Sequence, residues 1–149
     1  MLDHAEIAAR LPHAGRMCLL HRVLHRDEHS IRCSAISHRD PDNPLREAGG
    51  LATLAGIEYA AQAAAIHGSL LNATKEPRNG VLAALKNVTT ARPWLHDVIQ
   101  EIVVETTLLH SDPSGGIFSF ALFIDTEPVL SGQFTLMYIE KNKANGLLA

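Results

Sequence analysis

Positive charge is in short supply in this chain. Its 149 residues carry 13 Lys and Arg against 16 Asp and Glu, a formal net charge of −3. Nothing in that balance directs it to nucleic acid. Cysteine is scarcer still: Cys18 and Cys33 are the only two, each in an apolar stretch and without Cys-x-x-Cys spacing. Buried reduced thiols are expected. The opening "MLDHAEIAARLPHAG" has early acidic residues and no continuous apolar run, which argues against a secretory signal and for the cytoplasm. Repeats, low-complexity tracts and interdomain linkers are also missing, and the length suits a single domain, residues 1–149.

Histidine, by contrast, is plentiful, at nine. The nine are scattered, and His21, His25 and His29 fall across an expected strand, a turn and the next strand. No metal site is expected from them. "DPDNP" is rich in oxygen ligands but lacks the rest of a calcium loop, so it reads as turn chemistry.

The pattern along the chain predicts one short helix in "DHAEIAARL", capped by Asp3 and stopped by Pro12. Two strands follow, "MCLLHRVLHRD" and "SIRCSAIS", the second alternating apolar and polar residues. After the irregular "HRDPDNPLREAGG" comes a long apolar helix from about Gly50 to Leu71. The loop "NATKEPRNG" leads to four strands: "VLAALKNVT", "VIQEIVVETTLLH", "GIFSFALFID" and "PVLSGQFTLMYIE". Short connectors make the last three an antiparallel meander, and the tail "KNKANGLLA" is expected to fray. A helix apolar on nearly every side needs cover on nearly every side. The expected fold is therefore α+β, a hotdog: a curved antiparallel sheet wrapped around one long central apolar helix. An unpaired edge strand favours a dimer.

From Ala48 to Thr74 the only Asp, Glu, Lys or Arg is Glu58. That polar residue, with Gln62 and His67, excludes a membrane span, so no membrane insertion is expected. At helical spacing Glu58 shares a face with Leu51, Leu54, Ala55, Ala61, Gln62 and Ala65, none of them cationic. Buried there, the carboxyl would favour its protonated form, as a general acid requires. The competing reading is a carboxylate at a dimer rim, solvated or bonded to a backbone N–H.

"ARLPHAGRMCLLHRVL", "GIEYAAQA" and "ARPWLHDVIQEIVVE" resemble, in order, three segments of the β-hydroxyacyl-acyl-carrier-protein dehydratases. "HRDPDNPLREAGGLATLAGIEYAAQA" is more specifically similar to the 3-hydroxyacyl-carrier-protein dehydratases of aryl-polyene clusters. The resemblance implies dehydration of a (3R)-hydroxyacyl thioester to a trans-2-enoyl thioester, without metal or organic cofactor. It implies Glu58 as the acid and Gln62 as its companion one turn on. Gly49 or Gly50 would expose a backbone N–H to the thioester carbonyl. The family's "GHFPG" histidine has no counterpart in "NPLREAGG". His38, twenty positions before Glu58, stands in as the candidate base, with a strand-end surface histidine as the alternative. His13 in "LPHAG" is the second candidate. Arg46 and Arg39, with Arg78 and Lys86 elsewhere on the rim, are candidates to meet a phosphopantetheine phosphate or an acidic acyl carrier protein. The implied assembly is a homodimer or higher oligomer, or a heteromer with a homologous dehydratase. Two alternatives stay open: a hotdog acyl thioesterase, and a non-catalytic partner subunit.

Overall fold

The structure is a computed structural model that describes residues 1–11, 17–71 and 79–139. Pro12, His13, Arg78, most of the "NATKEPRNG" loop and the tail from residue 140 lie outside the described residues.

Helix α1 spans His4–Ala8 and starts as expected at Asp3. The Asp3 carboxylate accepts the Glu6 N–H at 2.9 Å, and the Glu6 carboxylate faces the Asp3 N–H, a reciprocal capping box. Strands β1 (Arg22–Arg26) and β2 (Ser30–Ala35) form a hairpin. Its turn is tied by Asp27, which accepts the N–H groups of His29 and Ser30 at 2.8 Å each. The first strand was expected from Met17. The ladder begins later because the Leu19 N–H donates to, and the Met17 carbonyl accepts from, a helix side chain instead.

Helix α2 runs Gly56–Leu71 after a 3₁₀ turn at Thr53–Ala55. It starts later than expected because Gly50 has a φ of +117° and Ala52 is extended, so residues 50–52 cannot be helical. Strands β3 (Asn79–Thr90), β4 (Ile102–Asp112), β5 (Gly115–Ile124) and β6 (Glu127–Ile139) complete the chain. The β4–β5–β6 meander is as read from the sequence. β4 begins four residues after its expected start, because Val98 and Gln100 turn their carbonyls to a side chain rather than to a neighbouring strand.

All strand pairs are antiparallel, in the order β1-β2-β4-β5-β6-β3. Tyr59, Ala60, Ala63, Ala64 and Ile66 of α2 are fully buried with Ile31, Cys33, Val104, Leu122 and Phe134 of the sheet. Alanines along this face let the helix sit close, and burial of each large side chain contributes about 1.5–3 kcal/mol. Both cysteines are free and buried.

Within α2 only Glu58 and Leu71 are exposed, so this chain buries most of the helix and leaves one strip open at its start. Leu54 is 55% exposed and Glu58 is exposed, so the cover expected on nearly every side is not completed by this chain alone. β3, at the sheet edge, likewise exposes Val81 and Leu85. Among the described residues no helix is long and apolar enough to cross a membrane.

At the β4–β5 turn Gly115 has a φ of +158°, and a Cβ there would lie 1.9 Å from the Leu136 carbonyl oxygen. Gly115→Ala should therefore lower stability by roughly 2–4 kcal/mol, since backbone must move. Urea unfolding checks this, and an unchanged midpoint would show that the hairpin yields without cost.

Candidate active site

Extended backbone, rather than a capping side chain, sets the start of α2. Leu95 N–H donates to Leu51 O at 2.8 Å, Thr53 N–H donates to Pro93 O at 3.0 Å, and Ala52 bridges Trp94. Just before this strap, Glu47 and Gly50 exchange N–H···O bonds of 3.0 Å, which closes a tight turn. A Cβ on Gly50 would fall 2.2 Å from the His96 ring, and one on Gly49 would fall 2.8 Å from the Trp94 ring. Both positions thus exclude a side chain. Gly50's N–H is spent on Glu47, whereas Gly49's makes no hydrogen bond among the described residues. Of the two glycines expected to present an N–H, Gly49 is the one left with it.

Glu58 stands in the first turn of α2, exposed, with Leu54 and the half-buried Ile57 beside it. No cation pairs with it among the described residues. The burial expected from its apolar surroundings is absent in the single chain: Leu51 and Gln62 of that face are buried, whereas Glu58 itself, with Leu54, stays exposed.

His38 is fully buried in the 3₁₀ turn Ser37–Arg39. Its Nε2 donates to the carbonyls of Gln100 at 2.9 Å and Val98 at 3.1 Å. Nδ1 is then the bare nitrogen, and it is sealed without a partner. Burial pushes the His38 pKa below its ordinary 6.5, and the nearby Arg39 charge adds to this, against the two backbone bonds that raise it. The ring is a neutral strap across residues 98–100, reinforced by Arg39, which donates to Ile99 O at 2.9 Å. It is neither the exposed histidine of the alternative reading nor a base open to substrate in this chain.

Gln62 is also committed. Its Oε1 accepts the Leu19 N–H at 2.9 Å and its Nε2 donates to Met17 O, which fastens the lead-in of β1 to the helix. Arg46 is half-buried and donates from Nε to Asp40 O at 3.0 Å, leaving the rest of its guanidinium for other partners.

Three residues were missed in the sequence. Tyr59, fully buried, hydrogen-bonds through its hydroxyl to Ser37 Oγ at 2.8 Å and accepts from Asn43 Nδ2 at 2.9 Å. Ser37 Oγ passes its own proton to Leu19 O at 2.7 Å. This network joins helix, loop and β1 lead-in. A lone Tyr in so apolar a helix was the available signal, because a buried phenol needs a partner. Asn43 also accepts the Leu45 N–H at 2.8 Å, as the turn reading of "DPDNP" expects. His96, half-buried, accepts the Leu51 N–H on Nδ1 at 3.0 Å and lies 5.4 Å from the Trp94 ring.

The ApeP-like family model, described as ApeP dehydratase, matches residues 5–148. The chain belongs to the ApeP-like dehydratase family. Among solved structures, this ApeP-like chain is similar to the dehydratase heterocomplex ApeI:P from Xenorhabdus doucetiae, at 20% identity and a TM-score of 0.81, covering 99% of this chain and 98% of that one. It also resembles a mutant thioesterase from Pseudomonas aeruginosa at 15% identity and TM-score 0.63, over 93% and 95% of the two chains. A thioesterase from Haemophilus influenzae matches at 14% and 0.56, over 80% and 78%. These likenesses establish the hotdog fold. Comparison with curated proteins finds no match.

Two predictions follow from the buried polar groups. Tyr59→Phe leaves one of the two Asn43 Nδ2 N–H groups without its acceptor, the other keeping Ser37 O, and should cost about 1–3 kcal/mol of stability, read from thermal or urea unfolding. For His38, folding lowers the pKa, so on acidification the unfolded chain binds the proton first. Its contribution is full above pH 6.5 and is lost as pH falls from there toward the depressed value. The stability gap between wild type and His38→Gln should narrow below that pH, whereas a pH-independent gap would refute the assignment.

Proposed function

We propose that this ApeP-like chain acts in a two-subunit hotdog assembly that dehydrates a (3R)-hydroxyacyl-carrier-protein thioester to a trans-2-enoyl thioester, in fatty-acid-like or polyene synthesis. The observation that carries this reading is Glu58, the single carboxylate of an apolar helix, standing on the strip that its own chain leaves open. A second subunit over that strip would take the carboxyl out of water, the setting in which an uncharged acid delivers a proton to a leaving hydroxyl.

In the reaction a base removes the C2 proton and the C3–O bond breaks. Glu58 protonates the departing oxygen, which leaves as water. Gly49's N–H, which has no hydrogen-bond partner among the described residues, would hold the thioester oxygen as enolate charge builds. With His38 sealed, the base is assigned to the second subunit, a homologous dehydratase. The Xenorhabdus doucetiae structure that this chain resembles is itself a dehydratase heterocomplex, which supports the two-chain reading. In a homodimer the remaining candidate base from the sequence is His13. Arg46 and Arg39 flank the loop before α2 and suit the phosphate of a carrier-bound arm.

Product analysis by mass spectrometry tests the proposal, with a 3-hydroxyacyl-carrier-protein thioester given to the chain alone and with a homologous dehydratase subunit. Enoyl thioester should form with the pair, and Glu58→Gln should slow it by about 100-fold or more. Full activity of Glu58→Gln would remove it from the chemistry, and free acid in place of enoyl thioester would make the protein a thioesterase.

A further inference from the structure

His96 occupies the one point where the glycine turn, the α2 strap and an aromatic ring meet. The Leu51 N–H points at its Nδ1 from 3.0 Å, so Nδ1 carries no proton and the neutral ring holds its hydrogen on Nε2. A ring in that tautomer has no lone pair on Nε2 with which to take a C2 proton. Gly50 lies directly against the ring, where any Cβ would collide with Cε1 and Nδ1 at 2.2 and 2.3 Å. Behind it, Arg92 donates to Asp97 at 2.7 Å and to Trp94 O at 2.8 Å, which braces the segment that presents the ring.

We infer that His96 is a positioning residue: its Nδ1 holds Leu51, and its ring backs Gly50, so that the Gly49 N–H is fixed in direction. The inference rests on the dehydratase reading for its consequence in catalysis, though not for its geometry. An oxygen that gains charge in the transition state is stabilised only by a donor already in place, and a shift of about 1 Å is enough to cost 100-fold. His96 supplies that rigidity without touching substrate.

The test compares His96→Asn, His96→Gln and His96→Leu in the assembled dehydratase. Asn places its Oδ1 where Nδ1 stood and can accept the Leu51 N–H. Gln places its polar atoms one carbon too far, and Leu only fills space. Expected is kcat within about threefold of wild type for Asn, and a loss of about 10- to 100-fold for Gln and Leu with KM little changed. Asn as inactive as Leu would show that the Leu51 bond is not what sets the rate and overturn the inference; so would full activity in all three. ¹⁵N imidazole spectra of the wild-type chain read the tautomer with no turnover required. A proton on Nδ1 defeats the inference even if dehydration is confirmed. A proton on Nε2 in a protein that makes no enoyl product would uphold the geometry while the dehydratase reading fails.

Discussion

The backbone pairing of residues 51–53 with 93–95 is the constraint on which the rest of the site depends. Ala52 offers no capping side chain, and the turn that leads into α2 has none from elsewhere. A helix start left to itself frays, because its first N–H groups lack partners. Here the Thr53 N–H goes to Pro93 O and that of Leu51, two residues earlier, to His96, so the helix start is fixed to a segment forty or more residues away in sequence. Everything that matters chemically is measured from that fixed point: the glycine turn lies just before it and Glu58 five residues after Thr53.

The helix divides its polar residues between two tasks. Tyr59 and Gln62 turn inward and spend their hydrogen bonds on Ser37, Asn43, Leu19 and Met17, gathering the loop and the β1 lead-in around α2. Glu58, next to Tyr59 in sequence, turns outward and spends none. A residue one position along a helix points about a quarter-turn away, so adjacent residues can serve core and interface at once. The buried network explains why the outward carboxylate can be held steadily even though no described side chain grips it.

Much of the fold was legible because its signals are local. Alternation in "SIRCSAIS", short polar connectors between the last three strands and the Asp3 cap each act within a few residues, and each was found where expected. Element ends were less legible. β1 and β4 start late, and α2 starts past Gly50, because in each case a distant partner claims the backbone: Gln62, His38 and the 93–96 segment. The site was read in part for the same reason. Glu58 was conspicuous as a lone charge, yet sequence could not say on which side of the core it would emerge. His38 looked like a strand-end residue, and only the carbonyls of Val98 and Gln100, sixty positions on, turn it into an internal strap. His96 gave no periodic or compositional sign at all; its meaning comes from a glycine in the left-handed region 46 positions earlier.

The two buried thiols divide the molecule in another way. Cys33 sits in β2 between β1 and β4, and burial pushes it up to about 12; Cys18, raised by the same cause, lies in the lead-in that Gln62 fastens. Neither forms appreciable thiolate while covered, so an alkylating reagent reacts only when its surroundings open. The chain therefore contains two clocks, one timing the release of a segment held by the side chains of Gln62, Ser37 and His4 and the other the parting of a three-strand ladder. Their rates would separate a loosening of the site from an unfolding of the sheet.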